Sequence, residues 1–379
     1  MQYFEPSIFI KIREAMAACP LEVYDLSVGT PDLPPPRHVI DAFQKSAADM
    51  ENHKYALADT KALTDAAIEW YARRFSVTLS RENICGLIGS QDGLAHLPLM
   101  LLDPQDSVLV PNPGYPMFLS GARLAGASVV DVPLHEESGY LVDYDAISPS
   151  VAHNAKLLII SYPANPLGRL APMEFFEETV WFAKKHDLYV IHDNAYVELV
   201  FDGAKAHSFL EAKGAADVGV EFNSLSKSYN LTGARVSFML GNPGLCAALS
   251  RLKSNIDYGI FKPVQAMAVS AITGPQDCLV ALRDEYQQRR DALIAALNEG
   301  GWSVVPPEGT MFVWAKLPPQ FPDSFDFAMR LLMHTGVAVV PGISFGSLGE
   351  GYVRIGLVRP PAEMAAAARK ITNFLRTEA

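Results

Sequence analysis

Cysteine is scarce in this chain: Cys19, Cys85, Cys246 and Cys278 are scattered through 379 residues without a C-x-x-C pair. That usage reads as a reducing compartment and no zinc site. The nine histidines form no H-E-x-x-H and no paired spacing, so no metal is expected. Basic residues are outnumbered, 31 Lys and Arg against 42 Asp and Glu, for a net charge of -11. This balance argues against nucleic acid and anionic membranes as partners, although an acidic protein can still hold a basic pocket. No uninterrupted apolar run approaches the roughly 20 residues that a membrane span needs. The first residues carry acids early and lack a signal-peptide layout, so a cytoplasmic location is expected. No internal repeat or low-complexity tract is visible.

What is present is an ordinary globular balance, 49% hydrophobic and 19% charged, in a chain long enough for about two domains. The sharpest break is "PDLPPPRHVI", an extended segment before a helix. After it, short apolar runs alternate with helical patterns. "NICGLIG" precedes "SQDGLAHLPLMLL", "DSVLVPNPGYP" precedes "MFLSGARLAG", and "AKLLIISYPANP" precedes "MEFFEETVWFAKKHD". "LYVIHDNAYVELV" and "DVGVEFNSLSK" follow. Runs without alternation predict strands buried on both faces, hence an α/β fold with a mostly parallel sheet between helices. From about Gly274 the texture changes to a long amphipathic helix, "DCLVALRDEYQQRRDALIAALNEGG", then strands and a last helix. The chain therefore divides into a large α/β domain, residues 46–273, and a smaller α+β domain, residues 274–379, with the arm 1–45 joined to it.

The stretch "NSLSKSYNLTGAR" puts Lys227 among serines, with Arg235 eight residues later. Most lysines are solvated surface charges. In open α/β sheets, however, ligands bind outside the carboxyl ends of the strands. At those ends the sequence places Ser90 and Gln91, Tyr115, Asn165, Asp193 with Tyr196, and Ser224 with Lys227. Any one could be a loop residue or a helix cap. Together they describe a pocket with an anion site, an aromatic face, a carboxylate, two phenols and an amine. That inventory suits pyridoxal 5′-phosphate, which needs a lysine for its Schiff base, a carboxylate at the pyridine nitrogen and a phosphate cup. The Gly-Ser turn before "QDGLAHL" can offer backbone N–H groups to phosphate.

Over nearly its whole length the chain resembles the fold-type I pyridoxal-phosphate aminotransferases of class I/II. "SLSKSYNLTGAR" matches the family's S-x-S-K then G-x-R pattern, "YPANPLG" its P-x-N-P-x-G turn and "HDNAY" its D-x-x-Y. "NPGYP" matches the loop with the stacking aromatic, and "YVRIGL" the C-terminal arginine strand. The resemblance implies Lys227, Asp193 and Tyr196 as catalytic residues. Lys227 would carry the cofactor and move the substrate proton, and Asp193 would keep the pyridine nitrogen protonated. Asn165 and Tyr196 would bond the ring's phenolic oxygen, and Tyr115 would stack on the ring. Ser90, Gln91, Ser224 and Arg235 would hold the phosphate, with Tyr55 reaching it from a partner subunit of a homodimer with shared active sites. Arg354, Gly29 and Asn165 would bind substrate, Arg354 through its fork on the α-carboxylate. The sequence departs from the family at Asn194, where D-E-x-Y is common, and at Leu167, where many have Thr. "KYALADTKALTDA" also lacks the usual Gly and Arg of the Tyr55 stretch.

The implied activity moves an amino group between an L-amino acid and a 2-oxo acid, with the 2-oxoglutarate/glutamate pair as the expected partner. The branch that the chain resembles is that of the LL-diaminopimelate and alanine aminotransferases. A C–S β-lyase would use the same cofactor residues, and a non-catalytic sensor of the same fold would need an attached DNA-binding module. "GISFG", residues 342–346, fits G-x-S-x-G but lacks the helix and the following histidine of a nucleophile elbow, and is expected to be a loop. His192 is expected as a strand-end residue beside Asp193. Arg289 and Arg290 are expected on a solvated helix face. Trp302, Phe312 and Trp314 are expected in the core.

Overall fold

The computed structural model describes residues 8–378; the first seven residues of the arm 1–45, and Ala379, lie outside them. The apolar runs become seven strands of one sheet: β2 (Ile84–Leu87), β3 (Ser107–Asn112), β4 (Ser128–Pro133), β5 (Ala155–Ile160), β6 (Tyr189–Asp193), β7 (Gly219–Ser224) and β8 (Ser237–Gly241). Their order is β2-β8-β7-β6-β5-β3-β4. Every neighbouring pair is parallel except those made by β8, which runs against both β2 and β7. The absence of alternation has the expected cause. Leu157 and Ile159 pack under the helices Ser90–Leu101, Phe118–Ala125 and Pro243–Ile256, while Leu158 and Ile160 join the core on the other face, with Lys61–Phe75 and Met173–His186. Each such fully buried side chain contributes about 1.5–3 kcal/mol of burial free energy.

The remaining strands are shorter. β1 (Tyr24–Asp25) pairs in parallel with β10 (Val337–Ala338), and the antiparallel sheet β11-β12-β9 joins Val340–Pro341, Tyr352–Gly356 and Phe312–Lys316. They pack with the helices Asp277–Glu299, Ser324–Thr335 and Pro361–Thr377 around a separate apolar cluster that includes Leu293, Leu331, Ile355 and Ile371. Among the described residues, no helix is long and apolar enough to cross a membrane.

Arg289 and Arg290 depart from the expectation of a solvated face. They are 1% and 4% exposed. Helix periodicity could not show this, because the carboxylates that make their burial tolerable, Asp32 and Asp202, come from distant loops. The "GISFG" stretch forms a short 3-10 turn rather than a strand–turn–helix elbow, and no partner for the Ser344 hydroxyl lies among the described residues.

Candidate active site

The reversed direction of β8 matters for the site. Its N-terminal end lies at the same sheet edge as the carboxyl ends of β2, β6 and β7, so Arg235, two residues before β8, arrives beside Ser90 and Ser224. Gly89 precedes the helix Ser90–Leu101 with φ +76°, and a Cβ there would fall inside the Arg235 guanidinium. The notch left by glycine therefore lets a cation rest at a helix N-terminus, where orphan N–H groups already favour an anion. The Ser90 hydroxyl is buried without a partner among the described residues. In the first turn of the helix, Asp92 accepts from Ile88 N at 2.8 Å and from the buried Lys253 at 2.5 Å, which ties the turn to the helix Pro243–Ile256. Asp92, His96 and Asp257 have ligand atoms within 4.8 Å of one another, and the Lys253 ammonium already pairs with both aspartates.

Asp193 closes β6, and its Oδ1 is buried with no partner among the described residues. Burial raises its carboxyl to about pKa 6, against the opposing influence of His192. His192 sits beside it as expected, fixed by Glu221 at 2.9 Å and the Tyr162 carbonyl at 2.9 Å. Glu221 also accepts from Tyr71 at 2.6 Å, Ser208 at 2.9 Å and Phe209 N at 2.8 Å, so a fully bonded buried network fixes β6 against β7. Tyr115 follows β3 and receives a long bond from Gln91 Nε2 at 3.4 Å. The Tyr115 and Tyr196 hydroxyls are both held neutral by burial.

Lys227 stands on the single turn Leu225–Ser228, capped by Ser224 Oγ, which accepts from Ser226 N at 3.2 Å. Its Nζ donates to the Gly29 carbonyl. Burial, then the Arg354 and Arg235 charges, lower its pKa to about 8. Arg354, on β12, lies 3% exposed with its guanidinium carbon 4.0 Å above the Phe312 ring. It donates to Asn165 Oδ1 at 3.1 Å and to the Ser27 carbonyl at 3.0 Å, while its Nε has no partner among the described residues. Burial brings its pKa down to about 10, so it remains a cation at neutral pH.

Ser90, Gln91, Tyr115, Asn165, Asp193, Tyr196, Ser224, Lys227, Arg235 and Arg354 line one cavity of about 740 Å3, together with Gly29. Of the residues expected from the sequence, only Tyr55 is elsewhere. It is 81% exposed, 5.5 Å from Tyr258 in a tilted ring pair. The cavity also takes in Arg13, Asp25, Thr232 and Phe312, which the sequence did not single out as site residues. Phe312 is core as expected, 1% exposed, but it is also a wall of the cavity. Arg13 and Asp25 belong to a helix and a two-residue strand with no motif to flag them.

The donor set fits pyridoxal phosphate. The Gly89–Ser90 turn with Arg235 offers an anion cup, the unpartnered Asp193 oxygen offers a carboxylate that a protonated ring nitrogen would need, and Lys227 supplies an amine poised near neutral pH. Comparison with known proteins agrees. The family model "Aminotransferase class I and II" matches residues 22–371. An LL-diaminopimelate aminotransferase of Desulforudis audaxviator is 42% identical over 375 residues, 98% of this chain and 95% of that protein. One from Dehalococcoides mccartyi is 42% identical, covering 97% of this chain and 96% of that one. Among solved structures, substrate-bound BacF from Bacillus subtilis has a TM-score of 0.94 at 35% identity, covering 98% of this chain and 96% of that one. A probable N-succinyldiaminopimelate aminotransferase from Thermus thermophilus has a TM-score of 0.92 at 38% identity, covering 97% of this chain and 100% of that one.

Proposed function

This chain belongs to the class I and II aminotransferases and is a pyridoxal 5′-phosphate-dependent transaminase, and we propose that its amino donor is a long diamino dicarboxylic acid of the LL-diaminopimelate type, with 2-oxoglutarate as acceptor. The observation that carries the substrate reading is the pair of opposite charges, Arg13 and Asp25, in the same cavity as Lys227 and Arg354. Diaminopimelate ends in a second ammonium and a second carboxylate. Arg13 would take that carboxylate and Asp25 that ammonium, while Arg354 holds the reacting end. The diaminopimelate enzymes named above support the same reading.

The cofactor supplies an aldehyde that condenses with amines and a ring that accepts the electron pair left when Cα loses its proton. The chain's own residues do the rest. Ser90, Gln91, Ser224 and Arg235 would hold the phosphate, and Asp193 would hold the ring nitrogen in its protonated form. Tyr115 would pack against the ring, and Asn165 and Tyr196 would bond the phenolic oxygen. Arg354 and the Gly29 backbone orient the α-carboxylate. Lys227 Nζ takes the Cα proton. A pKa near 8 suits that work, since an ordinary lysine would be almost wholly protonated at pH 7.

We read the active form as a homodimer in which Tyr55 reaches the phosphate of the partner's site. Tyr55, Met50 at 75% exposure and Leu57 at 68%, with Tyr258 and Phe261 beside them in the fold, form an exposed apolar patch that supports a second copy. Residues 46–273 are taken as the cofactor-binding unit, and 1–45 with 274–379 as the unit carrying Arg354. Four unpaired cysteines support a cytoplasmic location.

The test is visible spectroscopy of the cofactor-loaded enzyme with single amino acids and no oxo acid. Loss of the Schiff-base band with LL-diaminopimelate, restored by 2-oxoglutarate, is expected. A persistent band with pyruvate and ammonia release from a thioether amino acid would instead identify a β-lyase. Arg13→Ala should raise KM for LL-diaminopimelate about tenfold and leave that for alanine unchanged, as loss of one charged contact implies. Equal effects on both donors would remove Arg13 from substrate recognition.

A further inference from the structure

The helix Asp277–Glu299 sends three arginines inward. Arg283 reaches the buried Glu198 at 3.4 Å, two residues past Tyr196. Arg290 grips Asp202 at 2.6 and 2.8 Å and the Pro307 carbonyl at 3.2 Å. Arg289 is the most enclosed of the three. Its two Nη atoms donate to the two oxygens of Asp32 at 2.6 and 3.0 Å, Nη1 donates to the Leu357 carbonyl at 3.1 Å, and Nε donates to Glu285 at 2.7 Å.

The two ends of that clamp are informative. Asp32 lies three residues beyond Gly29, whose carbonyl receives the Lys227 amine, and five beyond Ser27, whose carbonyl receives Arg354. Leu357 lies three residues beyond Arg354 and just past β12. Gly356 N already donates to the Leu26 carbonyl at 2.7 Å, and the Arg289 guanidinium adds a second fastening, further along, between the segment that touches both Lys227 and Arg354 and the end of the strand that carries Arg354. Pro31 fixes one φ between Gly29 and Asp32, which removes one way for the link to absorb a displacement of Asp32. A buried ion pair is weak evidence for stability by itself, because apolar replacements often serve as well. A planar fork that spans two segments serves geometry.

We propose that Arg289 is a positioning residue for transamination: by clamping Asp32 to the end of β12 it sets the spacing between Lys227 and the α-carboxylate fork of Arg354. This rests on the reading of Lys227 and Arg354 given above. The clamp touches neither the phosphate cup nor Asp193, so its effect should fall on amino-acid binding more than on cofactor affinity.

The experiment compares R289K and D32N with wild type as cofactor-loaded enzymes. It measures the cofactor dissociation constant, the melting temperature, KM and kcat for LL-diaminopimelate and for L-glutamate, and binding of α-methyl-L-glutamate followed in the visible band. The α-methyl compound has no Cα proton and reports binding alone. R289K keeps the charge and loses the fork; KM and the α-methyl-glutamate constant should rise about tenfold, with cofactor affinity within about threefold of wild type. D32N, altered at the more exposed end, should shift the same constants in the same direction even if R289K folds poorly. Variants in which cofactor affinity and melting fall while the amino-acid constants hold would make Arg289 merely structural and overturn the proposal. A wild type that answers to no amino acid would overturn the functional reading, and this inference with it; a responsive wild type with unaffected variants overturns this inference alone.

Discussion

Lys227→Met in the cofactor-free protein should make the fold more stable at neutral pH, because the structure holds this ammonium at a disadvantage. Burial and two guanidinium neighbours take its pKa from 10.5 to about 8. The folded state thus releases a proton that the unfolded chain keeps between those values. Stability tied to this group is present above pH 10.5 and is lost as pH falls through 8. At 1.36 kcal/mol per pH interval, the full difference is about 3 kcal/mol. Methionine matches the side chain as far as Cε but leaves the Gly29 carbonyl without its donor, which returns about 1 kcal/mol. The net expectation is about 2 kcal/mol of stabilisation at pH 7. Urea unfolding of the two apoproteins at pH 7.0 and 9.5 measures it. The advantage of K227M should shrink at the higher pH, where the native lysine is already neutral. A variant no more stable than wild type at pH 7, or one whose advantage is the same at both pH values, would refute the argument that Lys227 is strained by its surroundings.

Two further outcomes follow from the same geometry. Gly89→Ala puts a Cβ into the Arg235 guanidinium at a φ of +76° that suits only glycine, so the phosphate cup must open. Affinity for pyridoxal phosphate should fall at least about tenfold by equilibrium dialysis, while affinity for pyridoxal, which lacks the phosphate, should change little; equal losses would place the phosphate elsewhere. Asp193 is raised to about pKa 6 by burial, so it is mostly ionised at pH 7 and protonated below 6. Cofactor affinity should therefore weaken as pH drops through about 6, and Asp193→Asn should abolish that dependence; a wild-type affinity that is flat from pH 7 to 5 would exclude Asp193 as the ring-nitrogen partner.

Much of the site was legible because its residues sit at strand ends, within a few positions of the apolar runs that place them. "HDNAY" and "NSLSKSYNLTGAR" carry their own structural address: a buried strand, then polar side chains where the sheet stops. What stayed hidden depends on partners far away in the chain. Arg289 meets Asp32 across 257 residues and Arg290 meets Asp202 across 88, so no local pattern separates them from surface arginines. β4 is a half-exposed edge strand, and β8 follows directly on the Arg235 motif, so neither presented a separate apolar run. Arg13 and Asp25 enter the cavity only because the helix Ile8–Ala18 and β1 fold back onto it.

The cavity's charges also explain why cofactor and fold should be coupled. Burial acts against both signs at once, lowering Lys227 and raising Asp193. In the protein itself, Asp193 Oδ1 and Ser90 Oγ have no partner among the described residues, and Lys227 rests on a neutral carbonyl. A phosphate dianion beside Arg235 and Ser90, and a protonated ring nitrogen at Asp193, would meet each of these groups with its complement. Interactions that the fold leaves unmade are then made only with the cofactor, so their free energy appears as affinity and, by linkage, as resistance to unfolding. Cofactor at one hundred times its dissociation constant stabilises a native state by about 2.7 kcal/mol. Cofactor in such excess therefore offsets, at least in large part, the cost of about 3 kcal/mol that holding the Lys227 ammonium imposes on the apoprotein.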